Sequence, residues 1–429
     1  MKSIFKKIVS SIIQFESKLI IKKYNPKIVA VTGSVGKTST KDAIFSVLAT
    51  SLYVRKSEKS FNSDIGIPLT ILGCENAWND PFKWFINIWK GFCLIVCKNK
   101  YPEWLVIEVG ADRPDDIKNI TKWLKPDIAV LTRFAKTPVH IEFFGSRDAL
   151  IKEKKYLVDA VKAGGIIIAN ADDVDAMSMA DKSKVRSLTY GLFGDADIKA
   201  SNIGINYTNG IADGMIFKVE QKENAVPILI KGSIGIQNIY SSLAAIAVGF
   251  SQNINFVRAG EGLLKHESPK GRMRIIKGIK DTTVIDDTYN SSPVALEAAL
   301  GILKDIETKG RKIAVLGDMM ELGKHSVEEH YEAGKKAAES CDILITVGIR
   351  SRKMVEGALD SKMSELNIFQ FENSLEAGKA LQDILKKGDI ILIKGSQSTR
   401  MERAVEEVMA EPEKASEILV RQEEEWKKR

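Results

Sequence analysis

Cysteine is scarce. Cys74, Cys93, Cys97 and Cys341 are the only four in 429 residues, which excludes a disulfide framework as the source of stability. Cys93 and Cys97 stand in an apolar run with no second pair, so their spacing does not make a zinc site. No apolar run reaches the ~18 residues that a membrane-spanning helix needs. The N-terminal apolar stretch is not followed by a small-residue cleavage site, so no secretion signal is expected. The chain shows no internal repeat. Reduced thiols and no leader fit a cytoplasmic protein.

What is present describes a folded protein. Hydrophobic residues make up 44% and charged residues 28% of the chain, a soluble globular composition. Its length predicts two or three domains. The net charge of +7 is uneven: residues 1–26 hold Lys2, Lys6, Lys7, Lys18, Lys22 and Lys23 against Glu16 alone. Ile4, Phe5, Ile8, Val9, Ile12, Ile13, Leu19 and Ile20 recur there at helical spacing. The pattern predicts a basic amphipathic helix ending near Asn25-Pro26. Such a helix either lies on an anionic membrane or docks on its own protein. The rest of the chain is near neutral and shows no aromatic–basic module, which argues against nucleic-acid binding.

Strand-like apolar runs alternate with helical patterns. They fall at Ile28–Val31, Trp104–Val109, Ile128–Leu131, Gly165–Ala169, Thr283–Ile285, Ile313–Leu316, Ile343–Val347 and Ile390–Ile393. This predicts α/β architecture with mostly parallel sheets. Residues 196–234 differ, with turn signals at Asn209-Gly210 and Asp213-Gly214 that predict an antiparallel patch. Lys265–Arg274 carries Pro269 and Gly271 and reads as a hinge before a second α/β unit. The acidic-then-basic tail around Trp426 reads as a frayed helix end. Residues 76–100 hold three of the six tryptophans, with Lys83 and Lys90 beside Phe82, Phe85 and Phe92. That segment is either a buried helix or an interfacial one.

The sharpest chemical signal is Val29-Ala30-Val31-Thr32-Gly33-Ser34-Val35-Gly36-Lys37-Thr38-Ser39-Thr40. A β-branched run ends in a glycine-containing loop, then Lys-Thr, then a helical pattern. Gly33 and Gly36 let backbone N–H groups approach phosphate oxygens. Lys37 reaches the terminal phosphates, and the Thr38 hydroxyl suits Mg²⁺. Val31 stands where the longer form of this motif has glycine, so the loop is a shortened variant. A second signal is Glu108, a lone acid ending the Leu105-Val106-Ile107 strand. It either faces the nucleotide and its Mg²⁺ or is a solvated strand end. His140 follows the Ile128–Leu131 strand on the ligand side of such a sheet. It reads as a metal ligand, a base or a structural histidine.

Together these segments resemble the Mur ligases, ATP-dependent amide-bond-forming enzymes of peptidoglycan synthesis. Further motifs follow in order: Phe61-Asn62-x-x-Ile65-Gly66-x-Pro68-Leu69-Thr70, then Asn170-Ala171-Asp172-Asp173, then Ile285-Asp286-Asp287-x-Tyr289-Asn290-x-x-Pro293. After them come Val315-Leu316-Gly317-Asp318-Met319-x-Glu321-Leu322-Gly323 and Lys394-Gly395-Ser396-x-x-x-Arg400-Met401-Glu402. These later motifs resemble the branch that adds D-alanyl-D-alanine, and the resemblance runs from about residue 27 to 410. It implies a P-loop central domain at 27–272 and a Rossmann-like C-terminal domain at 273–429, after the helix at 1–26.

The same resemblance implies roles. Gly33, Gly36, Lys37, Thr38 and Ser39 would hold the phosphates of ATP. Thr38 and Glu108 would bind one Mg²⁺, and Glu108 and His140 would serve a second. Lys154, fourteen residues after His140, matches a lysine that the family carbamylates to place that metal; Lys152 and Lys155 stand beside it. Asn238 and Arg272 match nucleotide-contacting positions, and Asp287 and Asn290 the hinge and adenosine side. Asn62, Lys394 and Ser396 would meet the substrates. Lys37, Glu108, His140 and Lys154 form the expected catalytic set. The implied reaction phosphorylates a muramyl-peptide carboxylate, then lets a dipeptide or amino-acid amine displace phosphate, in a single copy of the chain. A lipid-linked acceptor, with peripheral contact at the inner face of the membrane, and a non-catalytic ATP-binding scaffold are the alternatives. Two departures stand out. Only one helix precedes the phosphate loop here, where the family carries a UDP-sugar-holding domain. Gln237-Asn238-x-x-Ser241 replaces the family's His-Asn-x-x-Asn.

Overall fold

The computed structural model describes residues 2–58, 61–135 and 141–427. Two mostly parallel sheets carry the chain. The first takes nine strands in the order β2-β3-β1-β4-β5-β6-β7-β8-β9. These are β1 (Lys27–Thr32), β2 (Val54–Lys56), β3 (Trp104–Glu108), β4 (Ile128–Leu131), β5 (Ile166–Asn170), β6 (Ser187–Gly191), β7 (Ile198–Thr208), β8 (Ile211–Gln221) and β9 (Asn224–Lys231). Pairing is parallel from β2 through β7 and antiparallel in the β7-β8-β9 meander. The central strands are buried along almost their whole length, so they read as unbroken Val/Ile/Leu runs rather than alternating ones.

The second sheet has the order β10-β11-β15-β12-β13-β14. Its strands are β10 (Arg274–Lys277), β11 (Thr283–Asp287), β12 (Lys312–Gly317), β13 (Ile343–Val347), β14 (Ile368–Phe371) and β15 (Ile390–Lys394). Only β10 runs antiparallel to its neighbour. A contiguous apolar cluster passes from Val31 and Val47 of the first unit through Met273 to Leu296, Leu300 and Leu316 of the second.

The first four helices among the described residues are α1 (Lys2–Tyr24), α2 (Lys37–Leu48), α3 (Gly66–Leu72) and α4 (Pro81–Val96). α1 lies on α3 and α4, burying Val9, Ile13 and Ile20. The basic helix therefore docks on its own protein. Lys23 fixes its end by donating to the carbonyls of Leu94 and Ile95 at 2.9 and 2.8 Å, where the α4 macrodipole favours a cation.

Several short elements differ from the sequence reading. β2 and β14 have three and four residues and no fully buried position, too little pattern to stand out. Asn209-Gly210 makes the expected β7–β8 turn, with φ of 53° and 77°. Asp213-Gly214 does not turn the chain; it sits inside β8. A Cβ on Gly214 would lie 1.9 Å from the Ile230 carbonyl oxygen, so that glycine serves close strand approach.

Candidate active site

The phosphate loop leaves the C-terminal end of β1 and enters α2. Gly33 has φ of 145° and Gly36 of 83°, left-handed values that L side chains resist. A Cβ on Gly33 would also meet the Thr132 hydroxyl at 2.0 Å. The Arg133 carbonyl accepts from Ser34 N–H at 2.8 Å, which ties the loop to the end of β4. Lys37 is the first residue of α2, and Gly36 precedes it without a side-chain cap. The amides of the first turn are thus turned toward a site suited to anions.

Glu108 ends β3 in register with Val31. Its carboxylate accepts from the Thr38 hydroxyl at 2.8 Å and from Asn62 Nδ2 at 3.2 Å. Three residues from separate motifs thus converge on one acid. Desolvation lowers the Lys37 pKa, and Arg272 adds to that, while Glu108 and Asp112 oppose it. Lys154 is 4% exposed and donates to the Gly33 carbonyl at 2.7 Å. Burial first, then repulsion from Lys37, holds its pKa well below the usual lysine value. The adjacent Glu153 turns the other way. It accepts from the N–H groups of Ile117 and Lys118 at 2.7 and 3.0 Å, pinning the helix Arg147–Asp159 to the helix Asp116–Thr121. That anchor brings Lys154 to the loop; Lys152 is exposed and Lys155 pairs with Asp159 at 2.6 Å.

A cleft of about 650 Å³ joins the two units. One wall is Gly33, Lys37, Thr38, Asn62, Glu108 and Lys154; the other includes Asn290, Ser396, Gln397 and Trp426, with Arg272 between. Arg272 stacks its guanidinium 4.1 Å from the Tyr289 ring centre. Other expected residues lie outside this lining. Asp287 and Lys394 form a buried ion pair at 2.5 Å, and Lys394 also donates to the Asn290 carbonyl at 3.0 Å. That pair holds β11 to β15 below the cleft. Asn238 is buried and donates to the Ile234 carbonyl at 3.0 Å. Its neighbours Gln237, Tyr240 and Ser241 line a small adjacent cavity with Gly36 and Thr40. Ser39 is buried in the first turn of α2. His140 lies outside the described residues.

Two cleft residues do not stand out in the sequence. Asp112 follows the Glu108–Gly110 motif and could have been found by extending it. Trp426 belongs to the tail that reads as frayed. Instead a short helix, Glu424–Lys427, brings it to the cleft, where Arg400 Nη1 donates to its carbonyl at 2.8 Å.

The hydroxyl–carboxylate pair Thr38–Glu108 is an all-oxygen donor set, which fits Mg²⁺ completed by phosphates and water. Among the described residues no cluster of three His, Cys, Asp or Glu side chains could cage a metal alone.

Residues 89–249 match the Mur ligase middle domain, and residues 271–397 match the Mur ligase glutamate ligase domain. The UDP-N-acetylmuramoyl-tripeptide–D-alanyl-D-alanine ligase of Bacillus subtilis is 28% identical over 400 residues, 92% of this chain and 79% of that protein. The Escherichia coli ligase of the same name is 28% identical over 387 residues, 88% of this chain and 76% of that one. The crystal structure of the MurF ligase from Thermotoga maritima, in complex with ADP, superposes with a TM-score of 0.75 at 25% identity, covering 95% of this chain and 84% of that one. With both domains matched in chain order, and relatives aligned across both over more than three quarters of their own length, the chain belongs to the Mur ligase family.

Proposed function

We propose that this chain is an ATP-dependent ligase that joins D-alanyl-D-alanine to the terminal carboxylate of a muramyl tripeptide in peptidoglycan precursor synthesis. One observation carries the reading: the phosphate loop and the loops after β11 and β15 face each other across one cleft. ATP on one wall and an amine on the other would meet there, in one copy of the chain. In this reading residues 27–272 bind ATP, and residues 273–429 deliver the amine.

A carboxylate is a poor electrophile because its leaving group would be oxide. Transfer of the γ-phosphoryl to it makes an acyl phosphate; the amine then attacks the carbonyl carbon, inorganic phosphate leaves and the amine proton is lost to solvent. Lys37 and Arg272 offset the repulsion between two anions in the cleft, and the loop amides orient the phosphates. When bound, Mg²⁺ would supply further charge neutralisation, held by Thr38 and Glu108. Lys154, if carbamylated, would help Glu108 hold a second ion; carbon dioxide reacts with the neutral form of an amine, which burial of Lys154 favours. His140 completes that set in the family pattern. Asn62 positions Glu108, Asn290 and Ser396 face the incoming groups, and the Asp287–Lys394 pair sets the wall that carries them. The Thermotoga maritima relative's ADP and the all-oxygen donor set support this assignment.

The test is phosphate release from ATP with a panel of carboxylate acceptors and amines. Turnover should require both substrates and yield ADP. Lys37→Ala should lower it by two orders of magnitude or more, about 3 kcal/mol of lost charge stabilisation. Release of AMP and pyrophosphate, or full turnover in that variant, would overturn the reading.

A further inference from the structure

α4 is built inside out. Its buried positions are Trp84, Asn87 and Gly91, two of them polar or without a side chain. Trp84 donates from Nε1 to the Trp78 carbonyl at 3.0 Å, and Asn87 donates to the Glu75 carbonyl at 2.8 Å. The inward face is therefore satisfied and fixed. The outward face carries Phe82, Phe85, Ile86, Trp89, Phe92 and Val96, recurring every three or four residues along one stripe. Phe82 is 71%, Phe85 62% and Trp89 57% exposed. α1 adds a second stripe of exposed Ile8, Ile12 and Phe15. The two helices touch at Gly91, where the Glu16 carboxylate fills the space a Cβ would need, and Lys23 caps α4. They form one platform. Scattered apolar side chains on a surface need no explanation, but a contiguous ordered stripe does.

The charges say what covers it. Within residues 7–23 and 81–100 every exposed charge is a lysine, including Lys18, Lys22, Lys83, Lys90, Lys98 and Lys100; the one acid, Glu16, is buried. A second copy docked about a two-fold axis would set these lysines against themselves. An anionic surface complements them, and aromatic residues rimmed by lysine suit the headgroup boundary. Among the described residues no helix is long and apolar enough to cross a membrane. α4 has sixteen residues and one side sealed against the protein, a posture that fits lying in the plane.

We propose that the α1–α4 platform docks on an anionic lipid bilayer, with the α4 stripe entering the headgroup boundary and the lysines contacting lipid phosphates. This goes beyond the ligase reading and stands without it. The measurement is cosedimentation of the full chain with phosphatidylcholine vesicles, with and without phosphatidylglycerol. The chain should partition onto the anionic vesicles, and added salt should weaken that. Phe85→Ser, Trp89→Ser and Phe92→Ser together should cut partitioning at least tenfold, about 1.4 kcal/mol. Lys83→Glu with Lys90→Glu should reduce it and flatten the salt dependence. All these positions are exposed, so circular dichroism and phosphate release on soluble substrates should stay as in the parent. Failure to bind either vesicle overturns the proposal, as does equal partitioning of the triple variant. A wild-type dimer that the triple variant disperses overturns it too, by assigning the face to a second copy.

Discussion

Two buried ionisable residues carry the clearest consequences of placement. In the sequence Lys154 is marked only by its distance from His140; the fold separates it from Lys152 and Lys155, because the anchored Glu153 turns its neighbour inward. Lys154→Ala should lower phosphate release a hundredfold or more, whereas Lys152→Ala and Lys155→Ala should stay within a few-fold, both measured at saturating ATP. Short carboxylates such as acetate should partly restore the Lys154 variant, since they return an anion where a carbamate would sit. Loss of activity in either neighbour's variant instead would reassign the role. Glu16 raises a different question. Its Oε2 has no hydrogen-bond partner among the described residues, and desolvation pushes its pKa from 4.5 to about 7. The folded protein thus holds this proton over a range where the unfolded chain has released it. The contribution of this group is fully present below about pH 4.5 and is lost as pH rises to about 7, roughly 3 kcal/mol in total. Glu16→Gln should remove that decline, raising the thermal midpoint by a few degrees at pH 8 and leaving it nearly unchanged at pH 4.5. Equal effects at both pH values would show that Glu16 is not the group that titrates.

At the scale of elements, glycines mark where helices meet backbone to backbone. In the pair Ser326–Ala338 and Arg352–Asp360, a Cβ on Gly334 would lie 1.9 Å from the Met354 carbonyl oxygen, and one on Gly357 would lie 2.0 Å from that of Tyr331. Alanine is the better helix former by about 1 kcal/mol, yet neither backbone can yield at that distance. Overpacking should win, and Gly334→Ala or Gly357→Ala should destabilise by about 1–3 kcal/mol in urea titration. Net stabilisation would mean that the crossing opens freely. No sequence pattern announces such contacts; they depend on the crossing of two elements. What sequence does show is the central strands, because β1, β3, β4, β5, β12, β13 and β15 are buried on both faces and read as apolar runs. β2, β6 and β14 escape for the opposite reason: they are short or half exposed. The Glu108 strand, the phosphate loop and α2 are legible together because their chemistry lies along continuous sequence. The inverted face of α4 is not, since apolar spacing alone cannot say which side meets protein.

The whole molecule brings the chain's end back to its cleft. Buried Glu402 accepts from Arg400 Nε at 2.5 Å and from Arg421 Nη2 at 2.8 Å. Arg421 also donates to the Tyr289 carbonyl at 3.0 Å, so the tail is tied to the segment that follows β11. Beyond it, Trp426 sits with its ring 5.5 Å from the Arg400 guanidinium, on the same wall as Ser396 and Gln397. Sequence could not show this, because a highly charged, acidic-then-basic tail looks solvated until a distant arginine is folded against it. The two halves of the network should fail differently. Arg421→Ala leaves the Glu402 carboxylate buried with one partner fewer, a loss of about 3–5 kcal/mol that should lower the thermal midpoint. Trp426→Ala removes a partly exposed side chain and should leave the midpoint within a degree or two. It should instead raise KM for the amine substrate several-fold, with KM for ATP little changed, because Trp426 stands on the wall opposite the phosphate loop. Steady-state kinetics with each substrate varied in turn distinguishes the cases: a rise in KM for ATP alone would place Trp426 on the nucleotide side, and unchanged constants would remove the tail from the site.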